Sequence, residues 1–456
     1  MNKLRFTFSI FIGKLAFLGL KLLKKQGTAL PGKIALKIYP NILKYMGNKC
    51  DKIVIITGTN GKTTTNNLIN HVLSGKYSVV SNIKGSNMIQ GVVTPFIVDS
   101  AKRYDWGVFE VDEGSIPIVS QYITADYMIL TNFFRDQLDR YGEVDSTVKL
   151  VKSAIKPGTT LILNGDDPLN SKFEELPNKK IYYGVLKNKL SKSELSVAEA
   201  IFCSKCGNRL EYNYLNYGNI GHYKCRECGL ERPKLKYYVS SVDVESNKYK
   251  FTANSLTEKN SKFVFRYLGL YNIYNCIAAI AFSYENGLKY DYVKNKLENF
   301  DYKLGRMETI KFKTKDVILI LSKNPVGLSE VLSTIGYDTN KKSVMFVLND
   351  ASADGKDISW IWDADMEQIA NINTINKFYA SGHRSEEVAL RLKYAGFDEE
   401  KIKIYESTKE NNIKNSIKNL LKDGESKSYV IGTFTAMPVA RNILIKEQTK
   451  EKENYS

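Results

Sequence analysis

Short hydrophobic runs alternate with longer segments of mixed polarity along most of the chain from about residue 52. The short runs are rich in β-branched residues and predict strands, whereas the segments between them have the spacing of amphipathic helices. The first series of predicted strands lies at 52–57, 78–81, 106–111, 127–131 and 160–163. Alternation on this scale predicts an α/β fold, in which a mostly parallel sheet is covered by helices.

The alternation stops near residues 191–236 and resumes farther along the chain. We interpret this region, which holds four of the six cysteines, as an insertion. A small antiparallel addition to the same domain is predicted from strands at 237–244, 248–253 and 263–268, followed by helices at 272–285 and 291–299. After a break at 300–305, which we interpret as a domain boundary, a second α/β domain is predicted from strands at 316–321, 343–348, 377–380 and 428–433.

The N-terminal segment is apolar but interrupted by charge. Residues 6–23 are rich in Phe, Leu and Ile, and Lys14 and Lys21 break the run. The run is too broken for a transmembrane helix, and no small-residue cleavage site of a signal peptide follows it. Two interpretations stay open: an amphipathic helix that packs on its own domain, or a helix that lies on a membrane surface with its lysines toward anionic headgroups.

The chain is strongly basic, with a formal net charge of +17 over 456 residues. Such a balance favours an anionic partner, and it does not choose among nucleic acid, an anionic membrane surface and a phosphorylated substrate. The lysines are spread along the chain, which argues against a dedicated nucleic-acid-binding tail.

The most informative stretch follows the first predicted strand and reads Thr-Gly-Thr-Asn-Gly-Lys-Thr-Thr-Thr. A strand, a turn with two glycines, Lys-Thr and a helix occur here in the order of a phosphate-binding loop. Gly58 and Gly61 have no Cβ and let the backbone approach a polyphosphate closely. The helix N-terminus attracts anions, Lys62 can reach terminal phosphates, and the hydroxyl of Thr63 or Thr64 can ligate magnesium. The alternative is a β–α turn that binds nothing.

The four clustered cysteines form two pairs, Cys203 with Cys206 and Cys225 with Cys228, each followed by glycine. Each pair can direct two thiolates at one ion, and this spacing predicts a zinc ribbon. Four thiolates leave no open position for water, so the predicted zinc is structural. The ribbon either staples an insertion too small to fold alone or contacts nucleic acid. A disulfide framework is not expected in so long a chain with a nucleotide loop, which predicts a cytoplasmic location.

Polar residues follow several predicted strands in succession. Glu110 ends one strand, 131–132 end the next, and 164–168 follow a third. Because ligands bind beyond the carboxyl ends of the strands in a doubly wound sheet, Glu110 could hold magnesium between nucleotide and acceptor. Lys323 ends a strand of the second series and is expected near the phosphates. A plain strand-ending turn is the alternative at each position, but several polar strand ends together favour a binding site.

The glycine-containing loop resembles the ATP loop of the Mur ligases and folylpolyglutamate synthetases. Further motifs of that family are matched at 110, 131–132, 164–168, 271–275, 278–279 and 305–308. The residues that we therefore expect to bind ATP are Gly58, Thr59, Asn60, Gly61, Lys62, Thr63, Thr64, Asn272 and Lys323. The resemblance also implies that Thr63 and Glu110 hold Mg²⁺.

Three features depart from ordinary Mur ligases: Gln137, where many members carry histidine, the cysteine-bearing insertion, and an aspartate-rich stretch at 349–363. Together they resemble the MurT family, the Mur ligase-type subunits of lipid II isoglutaminyl synthases. The resemblance covers nearly the whole chain. It implies a Mur ligase-type P-loop ATPase domain with an inserted zinc ribbon and a C-terminal Rossmann-like α/β domain. The expected divisions are an N-terminal helical segment at 1–50, the ATP-binding domain at 51–304 with the ribbon at about 198–234, the partner-docking domain at 305–446 and a tail at 447–456.

The resemblance to the MurT family implies an ATP-dependent carbon–nitrogen ligase of peptidoglycan biosynthesis. ATP would phosphorylate the α-carboxylate of D-glutamate in the lipid II stem peptide, and ammonia would displace phosphate to leave D-isoglutamine. Ammonia would come from a glutamine amidotransferase, GatD, in a heterodimer with the C-terminal domain. An aspartate of this chain, Asp357 or next Asp354, would orient the histidine of GatD. We expect a cytoplasmic protein, peripheral at the inner face of the plasma membrane, that acts on lipid II and not on nucleic acid.

Two other functions stay open. One is a Mur or folylpolyglutamate-type ligase that adds an amino acid instead of ammonia. The other is an NTPase that binds nucleic acid through the ribbon, which would show steeply salt-dependent binding. The stretch at 349–363 favours neither of them.

Overall fold

The computed structural model describes residues 2–23, 27–99, 101–135, 144–193, 201–245, 248–256, 258–301 and 306–453. Gln137, Gly305 and the side chain of Arg306 lie outside the described residues. The chain forms two compact units. The first comprises the described parts of Met1–Phe134, Glu143–Arg266 and Leu270–Phe300, and the second those of Arg135–Gly142, Tyr267–Gly269 and Asp301–Ser456.

A nine-stranded sheet forms the centre of the first unit, in the order β11-β10-β9-β6-β5-β4-β1-β3-β2. All neighbours from β2 to β9 are parallel, and β9, β10 and β11 form an antiparallel edge. A separate antiparallel hairpin consists of β7 and β8. The strands of this unit are β1 (Cys50–Thr57), β2 (Val79–Ser81), β3 (Tyr104–Glu110), β4 (Tyr127–Leu130), β5 (Thr160–Asn164), β6 (Lys180–Val185), β7 (Glu211–Tyr217), β8 (Ile220–Lys224), β9 (Tyr237–Glu245), β10 (Lys248–Asn254) and β11 (Ser261–Phe265).

Helices cover this sheet and are apolar where they face it. The helix that follows the antiparallel edge, α8, is buried along most of its length, which agrees with its Ala- and Ile-rich sequence. It packs against α4, the helix that opens at the glycine-containing loop. The helices of this unit are α1 (Asn2–Leu22), α2 (Leu30–Ile38), α3 (Ile42–Gly47), α4 (Lys62–Leu73), α5 (Ile89–Val98), α6 (Ile116–Val119), α7 (Val144–Ala154), α8 (Leu270–Glu285) and α9 (Tyr290–Glu298). In the described parts of the chain, no helix combines the length and the apolar character that crossing a membrane requires.

The second unit contains a six-stranded sheet in the order β12-β13-β17-β14-β15-β16, parallel except for β12. Two buried clusters of aliphatic and aromatic side chains lie within it. Its strands are β12 (Arg306–Lys311), β13 (Asp316–Leu321), β14 (Lys342–Val347), β15 (Ile375–Ser381), β16 (Ile402–Ile404) and β17 (Lys427–Gly432). Its helices are α10 (Pro325–Gly336), α11 (Trp360–Asp363), α12 (Ser385–Tyr394), α13 (Asn412–Asp423) and α14 (Ala436–Glu453).

The predicted α/β architecture is confirmed, and the predicted strands agree with the observed ones to within about three residues at each end. The strands β6, β7, β8, β12 and the short β16 were not predicted from the sequence. The segment at 447–456, which was predicted to be a tail after the second domain, is helical over its described part, because α14 continues to Glu453. Side chains of that segment bind the start of the second unit: Gln448 donates to the carbonyl of Lys311 at 2.6 Å, and Glu451 accepts from the backbone N–H of Lys313 at 2.9 Å.

Candidate functional site

The glycine-containing loop joins β1 to α4 and needs glycine at two positions. Gly58 and Gly61 have φ of +115° and +88°, in the left-handed region that L side chains rarely adopt. A Cβ on Gly58 would lie 2.4 Å from Thr131 Oγ1, and one on Gly61 would lie 2.3 Å from Asn275 Oδ1. The loop is therefore pressed against the end of β4 on one side and α8 on the other. This arrangement fits the close backbone approach that a polyphosphate requires.

Lys62, the first residue of α4, is buried and folds back over this loop. Its Nζ donates to the carbonyl oxygens of Gly58 at 2.6 Å and Thr59 at 3.3 Å. It also forms an ion pair of 3.0 Å with Glu113, whose side chain is 8% exposed. The ammonium group thus lies over the loop with the Glu113 carboxylate as its counterion. No separate role was predicted for Glu113 from the sequence.

Glu110 and Thr63 are brought to one place. A Cβ built on Gly85 would lie 3.6 Å from Thr63 Oγ1 and 3.7 Å from Glu110 Oε1, so both oxygens border the same point. Glu110 is 1% exposed, and Asn82 fixes its backbone by accepting from its N–H at 3.0 Å and donating to its carbonyl at 2.8 Å. A hydroxyl and a carboxylate oxygen are ligands that Mg²⁺ accepts, so the pair fits this ion.

Two asparagine side chains, those of Asn132 and Asn275, form hydrogen bonds on either side of the loop. Asn132 accepts from the backbone N–H of Asn60 at 2.9 Å and donates to its carbonyl at 3.1 Å. On the other side, Asn275 Oδ1 accepts from the hydroxyl of Thr65 at 3.2 Å, and its Nδ2 contacts Asn272 Oδ1 at 3.4 Å. The predicted residue Asn272 therefore lies on α8, next to Asn275, and it is Asn275 that borders the loop.

The polar cluster at 164–168 lies beyond β5, but its side chains hold the fold together. Asp166 is fully buried and accepts from Tyr274 Oη at 2.6 Å, from the backbone N–H of Val185 at 2.7 Å and from Arg232 at 3.2 Å. Burial raises the pKa of Asp166, and the charge of Arg232 opposes that rise. Because Arg232 follows the second cysteine pair, this network fastens the insertion to the sheet.

The four predicted cysteines converge. Their sulfur atoms all lie within 4.8 Å of one another. The cross-pair distances are 3.5 Å between Cys203 and Cys228 and 3.5 Å between Cys206 and Cys225. A tetrahedral ion with metal–sulfur bonds of about 2.3 Å separates its sulfurs by about 3.8 Å, so the cluster could hold one metal ion. A hydrogen bond from the backbone N–H of Asn208 lowers the pKa of Cys206 to about 7.

The two cysteine knuckles have the same backbone hydrogen bonds. In the first, the N–H of Gly207 donates to the carbonyl of Cys203 at 2.9 Å, and in the second the N–H of Gly229 donates to that of Cys225 at 3.1 Å. Both glycines have positive φ, +76° and +73°. Both turns therefore favour glycine over residues with a Cβ.

In the second unit the two predicted catalytic aspartates differ in exposure. Asp354 is 5% exposed, and its carboxylate accepts from the backbone N–H of Thr435 at 2.7 Å and from the Thr435 hydroxyl. Asp357 is exposed and accepts from the backbone N–H of Ser359 at 2.8 Å. Hydrogen bonds from Ser359 lower the pKa of Asp357. Asp357 thus presents a charged carboxylate to solvent, whereas Asp354 is engaged inside the unit.

Lys323 and His383 each follow a strand of this unit. Lys323 lies between β13 and α10, next to Asn324, which caps α10 by accepting from the N–H of Gly327 at 2.8 Å. His383 follows β15, and its Nδ1 lies 3.1 Å from Asp350 Oδ1. Burial of Asp350 is outweighed by hydrogen bonds from Arg384 and His383, which lower its pKa. The structure thus places residues 58–64, Glu110 and Asn272 in the first unit, and Lys323, Asp354 and Asp357 in the second.

Comparison with known proteins gives consistent matches. The family described as "Mur ligase middle domain" matches residues 56–220, and the family described as "MurT ligase C-terminal" matches residues 321–437. A Staphylococcus aureus protein, "Lipid II isoglutaminyl synthase (glutamine-hydrolyzing) subunit MurT", is 39% identical over 85% of this chain and 87% of its own length. The protein with the same description from Streptococcus pneumoniae is 35% identical over 94% of both chains.

Solved structures share the fold. A pseudomurein peptide ligase type C from Methanothermus fervidus superposes with a TM-score of 0.67 and 23% identity, over 89% of this chain and 80% of the other. MurF from Acinetobacter baumannii gives a TM-score of 0.65 and 16% identity, over 91% of this chain and 80% of the other. At these identities the likeness concerns the Mur ligase fold alone.

Proposed function

The chain belongs to the MurT family, and from that premise we propose that it is the ligase subunit of a lipid II isoglutaminyl synthase. It transfers the terminal phosphoryl group of ATP to the α-carboxylate of D-glutamate in the lipid II stem peptide. Ammonia then attacks the acyl phosphate, phosphate leaves, and D-isoglutamine remains. We expect this reaction in the cytoplasm, at the inner face of the plasma membrane.

The observation that carries the proposal is the position of Lys62 between the loop and Glu113. A nucleotide that enters the loop brings phosphate oxygens that replace Glu113 as the partner of the ammonium group. The charge of Lys62 and the N-terminus of α4 then offset the negative charge that spreads over the transferring phosphoryl group. Thr63 and Glu110 would hold Mg²⁺, which supplies further positive charge at the phosphates when it is bound.

The nucleophile requires a second protein in this proposal. Ammonia is produced by a glutamine amidotransferase subunit that docks on the second unit as a heterodimer, and Asp357 orients the histidine of that subunit. Support comes from the exposure of Asp357, since an orienting carboxylate must be accessible to the partner. Asp354 is the weaker candidate because its carboxylate already binds Thr435.

We further propose that Cys203, Cys206, Cys225 and Cys228 hold a structural Zn²⁺. Four thiolates close the coordination shell, so the ion has no position for water or substrate. Its contribution is to fold the two knuckles, whose few apolar neighbours form only a small buried cluster.

The deciding experiment compares glutamine-driven with ammonia-driven amidation of lipid II by the heterodimer. Asp357→Asn should abolish the glutamine-driven reaction and retain the ammonia-driven one, because only the first needs the partner's histidine to be oriented. Asp398→Asn is the matched control: Asp398 is also exposed and also accepts a backbone N–H two residues ahead, at 3.1 Å. Equal loss of both activities in Asp357→Asn would contradict the orienting role.

Phosphate release shows whether ammonia or an amino acid is the nucleophile. With lipid II and ATP present, ammonia should stimulate phosphate release by the isolated chain, and amino acids should not. A preference for an amino acid would instead assign the chain to the ligases that extend peptides.

A further inference from the structure

The N-terminal helix α1 has two apolar faces, and its inner face packs on its own unit. The Phe6 ring lies 5.6 Å from that of Tyr45, and a Cβ built on Gly13 would lie 3.1 Å from Ile97. The residues of this inner face are at least partly buried: Phe6, Ser9, Ile10, Gly13, Phe17 and Leu20. The helix is therefore held firmly along one side, by α2 and α5.

The outer face of α1 is a continuous stripe of large apolar side chains. Its members, with their exposed fractions, are Leu4 (80%), Phe8 (55%), Phe11 (56%), Leu15 (48%), Leu18 (53%) and Leu22 (84%). Their spacing of four and three residues places them within an arc of about 80° on the helix, opposite the inner face. An exposed apolar stripe that runs the whole length of a helix indicates an interaction surface.

The charges around this stripe have one sign. Residues 1–50 contain ten Lys or Arg and no Asp or Glu. Lys3, Lys14 and Lys21 share one flank of α1, about 90° from the stripe at 100° per residue. A row of lysines at the border of an apolar face matches the geometry of a helix that lies in a membrane interface, where long side chains reach the headgroups.

We propose that α1 binds the surface of an anionic phospholipid bilayer. The stripe from Leu4 to Leu22 enters the boundary between headgroups and acyl chains, and the flanking lysines contact lipid phosphates. A second copy of this chain is a poorer occupant, because pairing two stripes would bring two sets of basic residues together without acidic partners. Membrane binding by α1 is independent of the proposed reaction, because vesicle binding requires neither ATP nor the glutaminase. Either proposal can therefore be wrong while the other holds.

The test is flotation of the full chain with vesicles of phosphatidylcholine alone or with added phosphatidylglycerol. The wild type should bind the anionic vesicles and not the neutral ones. Phe8→Ser/Phe11→Ser/Leu15→Ser should lower the partition coefficient about tenfold or more, because it removes the apolar area that enters the interface. About half of each of these side chains is exposed, so the variant should stay folded, with a thermal midpoint only slightly below that of the wild type. The control Leu256→Ser/Leu390→Ser/Ile404→Ser removes three apolar side chains of similar exposure elsewhere and should bind as the wild type does.

A second measurement separates insertion from electrostatic adsorption. Brominated acyl chains in anionic vesicles should quench the tryptophan fluorescence of Phe11→Trp more strongly than that of the wild type with its three native tryptophans, and Ile404→Trp should show no such increase. The proposal is overturned if the wild type does not bind anionic vesicles, if the triple serine variant binds equally well, or if Phe11→Trp is quenched no more strongly than the wild type. It is also overturned if sedimentation shows that the wild type is a dimer and the triple serine variant is a monomer.

Discussion

Gly61 offers the sharpest test of how the nucleotide loop is built. Replacing it with alanine adds one methyl group at φ +88° and 2.3 Å from Asn275 Oδ1. Gly158 is a matched control, because it has nearly the same φ, +85°, and a Cβ there meets nothing within 4 Å. The two substitutions therefore share the backbone strain, and only Gly61→Ala adds the collision.

The expected destabilisation follows from these two terms. An L residue in the left-handed region costs about 1–2 kcal/mol, which is the whole effect expected for Gly158→Ala. Forcing a methyl group into a packed contact adds about 1–3 kcal/mol, so Gly61→Ala should cost about 2–5 kcal/mol. In an Asn275→Ala background the colliding oxygen is absent, and the cost of Gly61→Ala should fall to about 1–2 kcal/mol.

The assay is urea unfolding followed by the fluorescence of Trp106, which lies in the first unit. The chain has three tryptophans, and replacing Trp360 and Trp362 with phenylalanine leaves Trp106 as the only reporter. Nucleotide affinity is measured on the same variants and should fall with Gly61→Ala and not with Gly158→Ala. The reasoning is refuted if the two glycine variants are equally destabilised, or if Asn275→Ala does not reduce the effect at Gly61.

Three further predictions concern charges and the metal. Burial raises the pKa of Asp338, but the hydrogen bond from Lys427 outweighs it and lowers the pKa from 3.8 to about 2. The carboxylate is 0% exposed, so at 1.36 kcal/mol per pKa unit it should contribute about 2 kcal/mol of stability. That contribution is present above about pH 4 and lost as pH falls to about 2. Asp338→Asn should therefore remove about 2 kcal/mol of the rise in unfolding free energy between pH 2 and 6, as measured by urea unfolding. The purified chain should contain about one metal ion by mass spectrometry, and Cys206→Ser should contain almost none; a metal-free wild type would contradict the cluster's role. Arg232→Met should cost about 3–5 kcal/mol in unfolding because it leaves Asp166 as a buried unpaired charge, and adding Asp166→Asn should recover part of the loss.

The parts of the fold that follow from local pattern could be predicted from the sequence. Buried parallel strands such as β13 are short apolar runs, and they were found within a residue or two of their observed limits. The strands that were missed have weaker local signals. β6 contains Gly184 and two tyrosines, and β16 is only three residues long. Their pairing with β5 and β15 depends on neighbours that are distant in sequence.

The residues of the candidate site likewise fall into those with a local sequence signal and those without one. The phosphate loop and the cysteine pairs are contiguous motifs, so their residues could be named in advance. Glu113, Asn82 and Arg232 could not, because each acts on a partner between 28 and 66 positions away: Glu113 on Lys62, Asn82 on Glu110, and Arg232 on Asp166. Each lies close to a recognised motif or in the inserted region, and only the tertiary contact gives it a role.

The insertion is joined to the nucleotide loop through side chains that the motifs did not reveal. Asp166 accepts from Arg232 of the insertion and from Tyr274 of α8, the helix whose Asn275 borders the loop. On the other side, Asn132, which clamps the loop, contacts Tyr217 of the β7–β8 hairpin at 3.4 Å. Two separate paths thus connect the cysteine-bearing insertion to the loop that would hold ATP. A structural ion in the ribbon would therefore affect nucleotide binding without touching the nucleotide, because it fixes the segment on which both paths end.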